Sequence, residues 1–91
     1  MATIQDTLDG MRRSPKSVRF ADLCRVCGHF FGPPRQSSGS HRIYRTPWEG
    51  DPRVNIQNDK GLARAYQVRQ VLKAIERLKA EGRMEEPNAS E

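Results

Sequence analysis

His41-Arg42-Ile43-Tyr44-Arg45-Thr46 and Arg53-Val54-Asn55-Ile56-Gln57 flank Pro47-Trp48-Glu49-Gly50-Asp51-Pro52, and this stretch decides the fold. Both flanks alternate in side-chain character, the period of a strand with one face buried. His41, Ile43 and Arg45 fall on one side of the first strand, and Arg42, Tyr44 and Thr46 on the other. Val54 and Ile56 face the core from the second. Two prolines and a glycine between the flanks force a turn.

Outward from this hairpin the period changes to that of helices. Upstream, Phe20, Leu23, Cys24, Cys27 and Phe30 or Phe31 recur every three or four residues, so a first helix is expected over about 17–28. Ser17 is its expected N-cap and Gly28 its terminator. A short extended segment near His29 to Phe31 precedes Gly32-Pro33-Pro34, and Arg35 to Ser40 reads as a small, polar, hairpin-like connection. Downstream, Asn58-Asp59-Lys60-Gly61 ends the second strand, and Val68, Val71, Leu72, Ile75 and Leu78 mark a second helix over about 65–80. Each helix carries one apolar stripe, so both are expected on one face of a small antiparallel sheet, an α+β fold.

The chain has 91 residues, enough for one domain with a small core. Residues 1–14 are expected to be a poorly ordered leader, 15–80 the single domain, and 81–91 a frayed acidic tail. The formal charge of +5 comes from 16 Lys and Arg against 11 Asp and Glu. Residues 11–80 hold fifteen of those cations and only five acids, with acidic segments at either end. A basic body of this kind suits a polyanion such as nucleic acid, or an acidic protein competing for the same surface. The start lacks a cationic and an apolar signal region, and no run of about 20 apolar residues occurs. The expectation is a cytoplasmic protein without a membrane span. Two cysteines are too few for a disulfide framework.

Gly39-Ser40-His41 is the candidate chemical site. Imidazole exchanges protons near neutral pH, Gly39 allows close backbone approach, and Ser40 offers a hydroxyl and an N–H. Arg35, Arg42, Arg45 and Arg53 are the nearby candidates for phosphate binding. A proton-transfer group beside phosphate-binding donors is what RNA cleavage through its own 2′-hydroxyl requires. Cys24, Cys27 and His29 have a spacing that zinc accepts, with His41 as a fourth ligand. Both cysteines, however, belong to the apolar repeat, where a free cysteine acts as a small hydrophobe, and no metal or other cofactor is expected. Tyr44 and Trp48 either stack on unpaired bases or cover the edge of the core, and the second is the expectation.

Gly39-Ser40-His41, Ile43-Tyr44, the strand Arg53-Val54-Asn55-Ile56 and the helix Val68-Arg69-Gln70-Val71-Leu72-Lys73 together resemble the HicA toxins of bacterial toxin-antitoxin pairs, over residues 17–80. The resemblance implies an α-β-β-β-α fold like a double-stranded-RNA-binding domain. It also implies a metal-independent endoribonuclease that cleaves mRNA with His41 as catalytic residue, and a HicB-like antitoxin that covers it. A non-catalytic RNA-binding module of the same fold is the alternative.

Overall fold

A computed structural model of the chain describes residues 3–38, 40–48 and 53–82. Its elements are α1 (Ile4–Arg13), a 3₁₀ turn (Pro15–Ser17), α2 (Phe20–Phe31), β1 (Gln36–Ser38), β2 (His41–Arg45), β3 (Arg53–Asp59), β4 (Leu62–Ala63) and α3 (Ala65–Ala80). The fold is α+β, with the four strands antiparallel in the order β1-β2-β3-β4.

The β2–β3 hairpin pairs as its alternation demands. Arg42 lies opposite Ile56 and Tyr44 opposite Val54 on one face, with His41 opposite Gln57, Ile43 opposite Asn55 and Arg45 opposite Arg53 on the other. Tyr44, Val54 and Ile56 are buried whereas His41, Arg45, Arg53 and Asn55 are exposed, so the helices cover only the first face. There α2 contributes Leu23, Val26 and Cys27 to the core, and α3 contributes Val68, Val71 and Ile75. Burial of a side chain of this size is worth about 1.5–3 kcal/mol, and it outweighs the weak local preferences of so polar a chain.

Residues 1–14 are not a leader throughout, because Ile4–Arg13 forms a helix. Thr3 Oγ1 accepts the Asp6 N–H at 3.0 Å and Asp6 Oδ2 accepts the Thr3 N–H at 3.2 Å, a reciprocal cap. Ile4, Leu8 and Met11 then recur at helical spacing, and Leu8 and Met11 are wholly buried in the same core as α2 and α3. The folded unit thus starts by Ile4.

The first expected helix is displaced. Pro15–Ser17 is a 3₁₀ turn, and Val18 and Arg19 are extended. They run beside β4: the Ala63 N–H donates to the Val18 carbonyl at 2.8 Å and the Phe20 N–H to the Gly61 carbonyl at 3.0 Å. Only then does α2 begin, and it continues past Gly28 through His29 to Phe31, because Phe30 belongs to its buried face. Gly32, at φ +85°, supplies the left-handed break instead.

The sheet also exceeds the expected three strands. Lys60 and Gly61 both adopt positive φ, the Gly61 N–H donates to Asn58 Oδ1 at 2.6 Å, and the chain returns as β4 rather than ending its strand. Beyond the two residues of β4 the edge of β3 is finished by a side chain, since Gln67 Oε1 accepts the Gln57 N–H at 2.8 Å. At the other terminus Glu81 is tied in, accepting from Trp48 Nε1 at 2.8 Å and Arg77 Nε at 3.0 Å. Residues 83–91 of the expected tail lie outside the described residues.

Candidate functional site

β2 begins at His41, and its two paired neighbours are Ser38 of β1 and Gln57 of β3. The imidazole is exposed on the helix-free face. Ser40 is exposed beside it, and its carbonyl accepts the Asn58 N–H at 2.8 Å, which closes the ladder at this end. Gly39 lies outside the described residues. Among the described residues the His41 ring makes no hydrogen bond, ion pair or ring contact, so it is open to an incoming group but has no partner that orients it.

Three of the four arginines expected around His41, Arg42, Arg45 and Arg53, do not converge on it. Arg42 corrects the sequence reading: strand alternation sends it to the helical face, where its guanidinium carbon stands 5.9 Å from the centre of the Phe20 ring. Its Nε is buried and has no hydrogen-bond partner among the described residues. Arg45 and Arg53 do share the His41 face, paired across β2 and β3. They stand four residues from the His41–Gln57 pair, about 13 Å along the strand. Arg35 precedes β1 and extends the hairpin by donating its N–H to the Ile43 carbonyl at 2.7 Å. Arg45 and Arg53 therefore share a face with His41 but stand well apart from it.

The aromatic candidates have structural roles. Tyr44 is buried, with its hydroxyl donating to the Cys24 carbonyl at 3.5 Å. Burial, with Cys24 and Cys27 nearby, pushes its pKa up to about 12. Trp48 is half-buried, with the Arg77 guanidinium 4.2 Å over its ring. The exposed aromatic is Tyr66, in the first turn of α3. Its hydroxyl accepts from Gln67 Nε2 at 3.4 Å, and Gln67 in turn holds Gln57, the strand partner of His41. Tyr66 escaped the sequence reading, although its place off the Val68-Val71-Ile75 stripe was a signal of exposure.

Cys24 and Cys27 lie on the inner side of α2, and burial raises both thiols, which keeps them protonated. His29 is exposed and meets the edge of Phe30 at 4.9 Å. No group of three or more His, Cys, Asp or Glu side chains gathers among the described residues. No helix among them is long and apolar enough to cross a membrane.

No known protein family, no curated protein and no solved structure matches the chain. What stands is a small α+β domain with an exposed imidazole on an open, basic sheet face.

Proposed function

We propose that the chain is a metal-independent endoribonuclease of the HicA type, acting on mRNA in the cytoplasm and restrained by a HicB-like antitoxin. The likeness to a double-stranded-RNA-binding domain belongs to the same proposal, with α2-β1-β2-β3-α3 as the shared order and α1 and β4 as additions. The observation that carries it is the exposed His41 at the mouth of the β1–β2 hairpin, on the face that also bears Arg45 and Arg53.

Neutral His41 takes the proton from a ribose 2′-hydroxyl as that oxygen attacks the adjacent phosphorus. The phosphorus–O5′ bond breaks, O5′ takes up a proton, and the products carry a 2′,3′-cyclic phosphate and a 5′-hydroxyl. Ser40, with the backbone around Gly39, holds a phosphoryl oxygen. Arg45 and Arg53 hold a phosphate several nucleotides along the strand, about 13 Å from the one at His41, and Arg35 adds positive charge beside β1. Proton transfer of this kind contributes roughly 10²- to 10⁴-fold.

The test is purified chain and its His41→Ala variant incubated with synthetic mRNA in the presence of EDTA. Cleavage by the wild type alone, with cyclic-phosphate ends, is the expected result. Equal cleavage by both, or none by either, defeats the assignment. The absence of an orienting partner for His41 among the described residues favours a second reading, a non-catalytic RNA-binding domain. That reading predicts salt-sensitive RNA binding that survives loss of His41 and gives no products.

A further inference from the structure

Three basic side chains from three different elements line one hollow beside the 3₁₀ turn. Arg13 ends α1, Lys16 lies in the 3₁₀ turn and Arg69 is on the exposed side of α3. With Ser14, Pro15 and Ser17 they line an open cavity of about 390 Å³ that has no acidic residue among the described ones in its lining. Among the described residues none of the three cations is in an ion pair, and neither serine hydroxyl makes a hydrogen bond.

Some cations on this surface are matched, with Arg12 3.6 Å from Asp9, Arg25 3.9 Å from Asp22 and Arg77 3.0 Å from Glu81, whereas Arg19, Arg35, Lys60, Arg64 and Lys73 also have no ion pair among the described residues; what distinguishes Arg13, Lys16 and Arg69 is that they line one concavity. An adjoining hollow, which shares Arg13, Ser14 and Ser17 with this one, contains Asp6 and Asp22. Asp6 is committed to the Thr3 cap and Asp22 stands beside Arg25. Arg13 benefits from the C-terminal end of α1, but Lys16 and Arg69 have no such compensation. Three like charges around one concavity repel one another until an anion enters. Two hydroxyl donors among them match the oxygens of a phosphate.

We propose that Arg13, Lys16 and Arg69, with Ser14 and Ser17, form a second phosphate site that grips the backbone of the RNA strand presented to His41. The inference rests on the nuclease reading only for the identity of that strand. The sheet gives the spacing: β2 pairs with β3 at His41–Gln57, β3 with β4 at Asn58–Ala63, and Ala63 bonds Val18, two residues from Lys16. Three strand steps are about 14 Å within the sheet, and an RNA strand that covers them must also pass round the edge, because His41 lies on the helix-free face and Arg69 on α3. An RNA strand leaving His41 over the β4 edge arrives at the cluster.

The experiment measures binding of 2′-O-methyl RNA, which cannot be cleaved through its 2′-oxygen, to the full chain between 50 and 200 mM salt. The compared variants are Arg13→Gln/Lys16→Gln/Arg69→Gln, a control triple Arg12→Gln/Lys60→Gln/Lys73→Gln, and a charge-keeping Arg13→Lys/Lys16→Arg/Arg69→Lys. Loss of one neutralised phosphate lowers the salt slope of a single strand by about 0.7, so over this range the wild type loses roughly threefold more affinity than the first triple. The control and charge-keeping triples retain the wild-type slope. Equal losses in both glutamine triples, or no RNA binding by the wild type, overturn the site. Inorganic phosphate alone, followed by thermal shift, is a further arm: stabilisation of the wild type without any difference in RNA binding assigns a free-anion site and defeats the RNA assignment. If the site behaves as expected while cleavage is absent, the second site stands and the nuclease reading falls. If cleavage depends on His41 but the triples are alike, the reverse holds.

Discussion

Replacing Leu8 with alanine tests whether α1 is a structural part of the domain. Leu8 is 0% exposed and sits with Met11 in the common core, in a helix that touches α2, α3 and the 3₁₀ turn. A buried Leu→Ala change costs about 2–5 kcal/mol, the transfer term plus the cavity left behind. A domain of this size has about 5–15 kcal/mol in total, so the variant is expected to remain folded at 25 °C but with much of its margin gone. With a urea dependence of about 1–3 kcal/mol per molar, a loss of 3 kcal/mol lowers the midpoint by about 1–3 M. The assay is urea unfolding followed by both far-ultraviolet circular dichroism and Trp48 emission. Leu62, 45% exposed in β4, is the matched control, and its truncation costs less than about 1 kcal/mol. If Leu8→Ala shifts the midpoint no further than Leu62→Ala, α1 does not belong to the core and the reasoning from its burial is wrong.

Two further outcomes follow from contacts outside the catalytic proposal. Gln67→Ala leaves the Gln57 N–H without its acceptor and is expected to cost about 1–3 kcal/mol; hydrogen exchange at the Gln57 amide accelerates in this variant, and unchanged exchange there refutes the role. Alkaline pH weakens the fold: Tyr44 stays neutral in the folded chain up to about 12, whereas an unfolded phenol ionises near pH 10. The unfolded state thus gives up its proton first, so this contribution is complete below about pH 10 and fades between about 10 and 12. Cys24 and Cys27, raised from 9.0 by burial, act in the same direction from lower pH. A pH series of melting temperatures shows the fall, and Tyr44→Phe reduces it; a flat series contradicts the buried phenol.

The parts of the fold that were legible in the sequence are those whose pattern is long or cleanly alternating. Arg53 to Gln57 and Val68 to Leu78 state their period directly, and their elements occur where that period puts them. α1 was hidden because its stripe of Ile4, Leu8 and Met11 is three residues wide in a segment otherwise polar, and the burial that makes it a helix comes from α2 and α3. α2 shifted for a related reason: Ser17 has the chemistry of a cap, but pairing of the Val18 segment with β4 is a long-range contact that local propensity does not contain. At the site, alternation along β2 already separated Arg42 from His41, while proximity in sequence grouped them. The cluster of Arg13, Lys16 and Arg69 draws on two distant segments, so only the folded chain displays it.

The turn at Lys60 and Gly61 has a consequence for how the chain holds together. Its glycine carbonyl accepts the first amide of α2, and the strand it launches donates the Ala63 N–H to the Val18 carbonyl. The tip of one hairpin thereby acts as a clasp on the N-terminal third. The N-terminal third is thus held to the sheet in two ways, through the burial of Leu8, Leu23 and Val26 in the common core and through backbone bonds to the tip of a distant hairpin.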